Sequence, residues 1–278
     1  MKGFDEQVAM HEISPRDHGL TIDWGKTARD YAEYRTGYPE SFFQRSTALG
    51  IGVSGQRILD LGTGTGLLAR ALARRGCVVT GVDLAAPQIE AAENLARRDG
   101  LEIDFRVAAA EQTGIPDAAF DVIVASQCWL YFDRPRMIAE VRRLLRPAGR
   151  LMTCHMCWLP RADPIARRSE QLILAHNPAW SAGDWSGHVP PMPAWAEDEF
   201  ELLAMFQYDE PIPFTRKTWR GRLRACRGIG ATLTPEQVRS FDEEHARLLA
   251  RTTAETFTIL HRIDAHILRL CPKTTPAP

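Results

Sequence analysis

Residues 57–67 read Arg-Ile-Leu-Asp-Leu-Gly-Thr-Gly-Thr-Gly-Leu. The apolar run at 58–61 is typical of a buried strand, and a helical pattern follows the turn. Between them, glycines at 62, 64 and 66 favour a sharp reversal with almost no side-chain bulk, against which a ligand can lie closely. The free N–H groups at the start of the next helix add the positive end of its dipole. This stretch therefore predicts a strand, a glycine turn and a helix around a ligand site.

A carboxylate follows the next apolar run. Residues 78–82 read Val-Val-Thr-Gly-Val and lead into Asp83. In a parallel sheet the end of this strand lies at the same edge as the glycine turn. A carboxylate there can accept hydrogen bonds from both hydroxyls of a ribose, so the pattern predicts a site for a nucleoside cofactor.

The glycine spacing discriminates between such cofactors. Dinucleotide sites favour G-x-G-x-x-G, whereas this turn is G-x-G-x-G, with Leu67 where the last glycine would stand and Asp60 two residues before the first. That combination resembles the first motif of the class I S-adenosylmethionine-dependent methyltransferases. In that family the acid-containing turn receives the methionine part of the cofactor.

The resemblance covers about residues 26–157. Residues 105–111 and 120–125 are similar to the third and fourth strands, and Leu-Met-Thr-Cys-His at 151–155 to the fifth. The lead-in at 31–39, Tyr-Ala-Glu-Tyr-Arg-Thr-Gly-Tyr-Pro, resembles that of a small-molecule branch (methyltransferase type 11/25) that includes trans-aconitate methyltransferase-like proteins.

This resemblance implies an α/β fold, with a Rossmann-like, seven-stranded, mostly parallel sheet, helices on both faces and a helical cap inserted late in the chain. The expected segments begin with a lead-in at 1–25 and a core at 26–158 that binds S-adenosyl-L-methionine. The core is expected to start with one helix over 26–48. After the core we expect a pocket-wall helix, Trp/Pro loop and sixth strand at 159–211, the cap at 212–255, a last strand at 256–272 and a tail at 273–278.

The resemblance also assigns cofactor contacts, residue by residue. They are Asp60, Gly62, Thr63, Gly64, Gly66, Asp83, Leu84, Ala110, Glu111 and Gln127. Tyr31 and Arg35 are expected to close on the methionine end, where Arg35 can meet its carboxylate. The alternatives are that Glu111 caps a turn and that Arg35 pairs with a surface acid.

On the acceptor side, Trp129 and Tyr131 follow the fourth strand directly, and an aromatic face can hold a cation or a flat substrate. The related branch often has His-Trp where this chain has Leu130-Tyr131. His155, at the end of the fifth strand, is therefore the candidate general base, with Tyr131 as a second catalytic candidate; an ordinary strand-end histidine is the alternative. Trp185 belongs to a Pro- and Trp-rich loop expected to wall the pocket.

Residues 214–227 carry six basic residues and no acid. At ~100° per residue, Arg222 shares a side with Trp219 and Cys226, whereas the other five basic residues share the opposite side and are expected to face solvent. We expect Arg222 to point inward, toward a substrate anion or an internal salt bridge.

Composition limits the remaining classes. The formal net charge of −1 over 278 residues argues against nucleic acid as the main partner. No apolar run reaches the ~20 residues that span a membrane, and no signal peptide opens the chain. The six cysteines lack disulfide-framework spacing, so we expect reduced thiols in the cytoplasm. Cys154-His-Met-Cys157 lacks the second ligand pair of a structural zinc site, and no metal is expected.

The resemblance thus implies transfer of a methyl group from S-adenosylmethionine to a small-molecule acceptor by in-line displacement (EC 2.1.1.-). A non-catalytic module that binds the cofactor and a nicotinamide-dependent oxidoreductase are the alternatives. The acceptor, the attacking atom and the oligomeric state stay open at this point.

Overall fold

The computed structural model describes Arg16, Asp17 and residues 20–272. Seven strands form one sheet, and the prediction of a seven-stranded, mostly parallel sheet is confirmed. In chain order the strands are β1 (Arg57–Leu61), β2 (Val78–Asp83), β3 (Asp104–Val107), β4 (Phe120–Ser126), β5 (Leu145–Trp158), β6 (Phe200–Thr215) and β7 (Thr256–Leu270). Their order across the sheet is 3-2-1-4-5-7-6. The strand β7 runs antiparallel to both β5 and β6.

Helices cover both faces of this sheet. They are α1 (Ala28–Tyr34), α2 (Glu40–Ala48), α3 (Leu67–Ala73), α4 (Ala86–Arg98), α5 (Arg134–Leu144), α6 (Pro164–His176), α7 (Arg216–Arg224) and α8 (Pro235–Thr252). Because α7 and α8 lie between β6 and β7, they are the late helical insertion that the fold prediction contains.

Residues 26–48 form two helices instead of the single helix expected there. The helix α1 ends at Tyr34, and α2 begins at Glu40 after an extended stretch. Pro39 is the reason: it has no N–H to donate and disfavours helical backbone in the residue before it.

Three strand boundaries also differ from the expectations. The strand β3 ends at Val107 instead of 111. The strand β5 starts at Leu145, because the Pro147-Ala148-Gly149 stretch, with Ala148 at φ 62°, is an irregularity within the β4–β5 pairing. Pairing of β6 with β7 continues to Thr215, opposite Thr256. The inserted helices therefore begin at Arg216, not at 212.

The sheet buries side chains on both faces, since successive residues of a strand alternate. Ile58 packs with Phe42 on one face, and Leu59 packs with Met137 on the other. All four are fully buried. A third apolar cluster beneath the cap contains Trp219, with which α7 rests on the end of the sheet.

Ion pairs join the cap helix α7 to α1 and to α8. Arg224 of α7 pairs with Asp30 of α1 at 3.0 Å and with Asp242 of α8 at 2.8 Å, and Arg220 pairs with the same Asp242. The helices α1 and α7 approach so closely that a Cβ on Gly221 would lie 2.1 Å from the ring of Tyr34. The basic face expected to meet solvent therefore serves in part to hold three helices together.

Most of the expected lead-in at 1–25 and the expected tail at 273–278 lie outside the described residues. Within the described part, every helix is too short or too polar to cross a bilayer. No group of three or more His, Cys, Asp or Glu side chains in that same part could hold a metal ion.

One buried carboxylate connects α6 to the last strand, and its loss should be costly. Asp163 accepts hydrogen bonds from the backbone N–H groups of Ile165, Ala166 and Leu260, at 2.8, 2.9 and 2.9 Å. We expect Asp163→Ala to lower the free energy of unfolding by about 2–3 kcal/mol, because it removes a helix cap and orphans a strand N–H. Urea denaturation measures this change.

The control is Asp133→Ala, which removes an exposed cap that binds only the N–H of Arg136. We expect its loss to be about 1 kcal/mol. Equal losses for the two variants would contradict the bridging role of Asp163.

Candidate functional site

The glycine turn between β1 and α3 has the backbone that its sequence requires. Gly62, Gly64 and Gly66 have φ angles of 58°, 54° and 69°, in the left-handed region that favours glycine. A Cβ on Gly62 would lie 2.9 Å from the Cβ of Cys128, and one on Gly66 would lie 2.7 Å from the ring of Phe105. Glycine is therefore needed at these positions both for conformation and for space.

Asp60 lies beneath this turn with 1% of its surface exposed. The hydroxyl of Thr63 donates to its Oδ2 at 2.7 Å. Burial raises the pKa of Asp60 to about 7, and the nearby charge of Asp83 acts in the same direction. Because no ion pair with Asp60 forms in the described part of the chain, its negative charge is uncompensated.

Asp83 is held at the end of β2 by backbone donors. The N–H of Gly64 and the N–H of Ala85 each donate to one of its oxygens, both at 2.9 Å. Burial raises the pKa of Asp83 in spite of these bonds. Beside it, Leu84 is 76% exposed and Val107 at the end of β3 is 55% exposed. A fixed carboxylate thus stands next to an open apolar surface.

A cavity opens above the turn, with about 430 Å³ of empty space including its mouth. Its lining comprises Tyr31, Arg35, Thr36, Tyr38, Asp60, Gly62, Thr63, Leu67, Leu68, Ser126, Gln127 and Met156. Six of the predicted cofactor residues (Tyr31, Arg35, Asp60, Gly62, Thr63, Gln127) belong to it.

The floor of the cavity is formed where β4 ends. Gln127 has a φ of 60°, its N–H donates to the carbonyl of Cys154 at 3.0 Å, and its side-chain amide donates to the carbonyl of Met156 at 2.9 Å. Tyr38 and Ser126 share a hydrogen bond of 3.0 Å across the cavity wall. Sequence reasoning missed both, although each lies in a segment similar to the family.

The helix α1 and the residue after it close one side of the cavity. Tyr31 and Arg35 line the cavity, and the guanidinium of Arg35 is 5.3 Å from the ring centroid of Tyr31. Arg35 forms no ion pair with any described residue, so the alternative of a surface acid finds no partner within residues 20–272.

The remaining predicted cofactor residues do not belong to the cavity lining. Gly64, Gly66, Asp83 and Leu84 belong to the turn and strand ends already described. Ala110 is buried in the core. The carboxylate of Glu111 accepts the backbone N–H of Asp133 at 3.0 Å, which is the turn-capping contact that the sequence left as an alternative.

The predicted acceptor residues are more scattered. Trp129 is 4% exposed and stacks on Trp195 with ring centroids 4.4 Å apart. It is thus a core residue rather than an exposed aromatic face, because the turn after β4 directs it inward. Trp185 is also buried, and neither indole lines the cavity. Tyr131 meets Trp24 edge-to-face at 5.6 Å and accepts a hydrogen bond from Arg227.

His155 has a partner that the sequence did not reveal. Its Nδ1 lies 3.0 Å from Oδ2 of Asp264, directly across the β5–β7 pairing. Asp264 is 1% exposed, whereas about a third of the His155 side chain is exposed. Burial opposes protonation, but the charge and hydrogen bond of Asp264 outweigh it, so the pKa of His155 is raised. No local pattern could predict this contact, since the two residues are 109 positions apart.

Comparison with known proteins agrees with this geometry. A model of the methyltransferase domain matches residues 59–153. A ubiquinone biosynthesis O-methyltransferase of Cereibacter sphaeroides is 29% identical over 160 residues, which are 57% of this chain and 64% of the relative. The protein of the same description from Maricaulis maris is 42% identical over 102 residues, 36% of this chain and 40% of the relative. The matched part thus spans less than two thirds of these relatives.

Solved structures share the fold. A putative type II methyltransferase from Anaeromyxobacter dehalogenans is 24% identical with a TM-score of 0.57, covering 84% of this chain and 97% of the other. A methyltransferase from Thiobacillus denitrificans, solved with S-adenosyl-L-homocysteine, is 20% identical with a TM-score of 0.54, covering 89% and 98%. At these identities the likeness establishes the fold.

The buried charge of Asp60 gives a pH-dependent prediction. Its pKa is about 7 in the folded protein against 3.8 when unfolded, so the folded state binds the extra proton and stability falls as pH rises from about 4 to 7. We expect Asp60→Asn to raise the free energy of unfolding by about 2–4 kcal/mol at pH 8 and by much less at pH 5.

Urea denaturation of both proteins at the two pH values measures the effect. Asp104→Asn, at an exposed position on β3, is the control and should change stability little at either pH. A gain for Asp60→Asn that is the same at pH 5 and pH 8 would show that folding does not raise the pKa of Asp60.

Proposed function

We propose that this chain, which carries a methyltransferase domain of the class I S-adenosylmethionine-dependent kind, moves a methyl group from S-adenosylmethionine to a small-molecule acceptor. The observation that carries the proposal is the buried carboxylate of Asp60 and the half-buried carboxylate of Asp83 around a left-handed glycine turn. The relatives named above are O-methyltransferases by description, which supports a small-molecule acceptor here.

The charge of the site fits this cofactor better than a dinucleotide. S-adenosylmethionine carries an ammonium and a sulfonium, and two carboxylates without ion-pair partners in the described chain favour such a ligand by Coulomb attraction in a low-dielectric site. A dinucleotide would instead bring an anionic pyrophosphate to the glycine turn, close to Asp60. Repulsion of that kind is unfavourable by several kcal/mol when the charges are desolvated.

The described residues divide the cofactor among them. Asp83, fixed by the N–H groups of Gly64 and Ala85, would accept from the ribose hydroxyls, and the exposed Leu84 would cover the adenine. The turn at Gly62 would receive the amino-acid end, with Asp60 below it. Arg35 would meet the carboxylate of that end from the α1 side.

When bound, the cofactor supplies a methyl group already activated by its positive sulfur. The protein has to align the acceptor with that methyl and exclude water, and such positioning can contribute about 7–11 kcal/mol. The carboxyl edge of the sheet provides the place, because β4 and β5 end there beside Gln127.

His155 and Asp264 would remove a proton from an acceptor hydroxyl or amine. His155 follows Cys154, the last residue of β5 that pairs with β4, and so lies near the carboxyl end of the sheet, although its neighbour Met156 and not His155 lines the cavity. With Nδ1–H donated to Asp264, the imidazole keeps Nε2 as the basic nitrogen. Asp264 holds the ring and stabilises the imidazolium that forms, which is the role of the acid in other acid–histidine pairs.

Cofactor binding is tested by calorimetry with S-adenosylhomocysteine and NADH. We expect uptake of S-adenosylhomocysteine and none of NADH, and we expect Asp83→Asn to weaken binding by about ten- to a hundredfold, because bonds to a charged acceptor contribute about 1.5–3 kcal/mol. Asp104→Asn is the matched control and should bind like the wild type. Uptake of NADH alone would overturn the proposal.

Turnover is tested with methyl-labelled S-adenosylmethionine and a metabolite extract, followed by mass analysis for one added methyl group. With the acceptor so found, we expect His155→Gln to lower kcat by about 10²–10⁴ with cofactor binding intact. His176→Gln, a histidine of α6 paired with Glu244, is the control.

The role of Asp264 has its own readout. Asp264→Asn removes the charge that raises the pKa of His155, so the pH at which kcat/KM reaches half its maximum should move downward. An NMR titration of the His155 ring should move in parallel. A pH profile unchanged in Asp264→Asn would leave the contact a structural one.

A further inference from the structure

The cap contributes a buried cation to the neighbourhood of the site. Arg222 of α7 is 4% exposed, as the helical periodicity predicts, and its guanidinium lies 4.9 Å from the ring centroid of Trp158. Its Nη1 has no hydrogen-bond partner, and no ion pair with Arg222 occurs among the described residues. A buried cation in this state is costly by several kcal/mol unless an anion reaches it.

The surroundings of Arg222 increase that cost. Burial, together with the charge of Arg35, lowers the pKa of its guanidinium to about 9. The ionisable groups that oppose this shift most are Cys226, Tyr31 and Cys157, none of which is a carboxylate. Two guanidinium groups therefore stand near each other without an acid between them.

The acid on the neighbouring indole is already engaged. Glu170 accepts the N–H of Trp158 at 2.5 Å and the backbone N–H of Asp184 at 2.8 Å. Glu170 lies at the edge of this indole, whereas Arg222 lies over its ring. Glu170 is thus a partner for Trp158 rather than for the arginine.

Arg222 is adjacent to the cavity wall. Its guanidinium lies over Trp158, two residues after the cavity residue Met156 on β5. The neighbouring Gly221 packs against Tyr34 of α1, the helix that carries the cavity residue Tyr31. On the proposed function, Arg35 takes the carboxylate of the cofactor. One cation, Arg222, is then left without an anion on the acceptor side.

We infer that Arg222 binds a carboxylate of the methyl acceptor, so that the substrates of this chain are carboxylic acids held between α7 and β5. A guanidinium presents two parallel N–H donors that match a carboxylate, and stacking on Trp158 fixes the plane of that fork. The acceptor's anion would supply the missing partner of Nη1. This inference rests on the proposed function and assigns it a substrate class.

The test uses the full chain saturated with S-adenosylhomocysteine and two probes of the same shape, benzoate and its neutral counterpart benzamide. We expect benzoate to raise the melting temperature and to bind measurably by calorimetry, and benzamide to bind at least tenfold more weakly. Arg222→Met should lower benzoate affinity at least tenfold and leave S-adenosylhomocysteine affinity within about twofold. Arg222→Lys, which keeps the charge but loses the fork, should fall between them.

A second measurement needs no ligand. Because Arg222→Met replaces an unpartnered buried charge with an apolar side chain, the free protein should melt at the same temperature or higher. Arg216→Met, on the same helix but partly exposed and near Glu255, is the matched control and should bind benzoate like the wild type.

The outcomes separate the two proposals. If the wild type takes up S-adenosylhomocysteine but shows no preference for benzoate over benzamide, the carboxylate site is overturned and the proposed function stands. If Arg222→Met loses S-adenosylhomocysteine, Arg222 serves the cofactor and the inference is wrong. A strongly destabilised Arg222→Met would make the arginine structural and overturn it as well. If the wild type does not bind S-adenosylhomocysteine, both proposals fall.

Discussion

The N–H of Gly64 donating to the carboxylate of Asp83 is the contact on which the rest of the site depends. It joins the turn after β1 to the end of β2, and it forms only because the glycine adopts a left-handed backbone. With that bond in place the turn cannot collapse into the space above it. The cavity above the turn, the buried Asp60 beneath it and the exposed Leu84 next to Asp83 are arranged around this contact.

The same constraint explains why the site is electrostatically unbalanced. Packing the turn tightly excludes water from Asp60, and nothing in the described chain neutralises it. On the opposite side, α1 and α7 bring Arg35 and Arg222 together with no acid between them. Acidic side chains at the turn and arginines on α1 and α7 give the site carboxylates on one side and guanidinium groups on the other, which suits a ligand that carries both charges. The buried charges without ion-pair partners lower the stability of the free protein.

The features that could be predicted from the sequence are those whose residues lie close together along the chain. The strand, turn and acid that end at Asp83 belong to one local unit, so their spacing was enough to place them. Helical periodicity likewise predicted that the side chain of Arg222 points inward. The pairing of His155 with Asp264 depends on the antiparallel register between β5 and β7, and no periodicity within either strand specifies that register. Trp129 was misjudged for a related reason: an aromatic residue after a strand can serve the core or the cavity, and only the packing of Trp195 decides.

The ion pairs of Arg224 with Asp30 and Asp242 have a consequence for how ligands enter. The helix α1 carries Tyr31 of the cavity wall, and α7 carries the buried Arg222. Because the ion pairs join these helices, a displacement of one helix must carry the other along or break the pairs. If the cavity takes the cofactor and Arg222 takes the acceptor, as proposed, the entry of one ligand is coupled to the entry of the other.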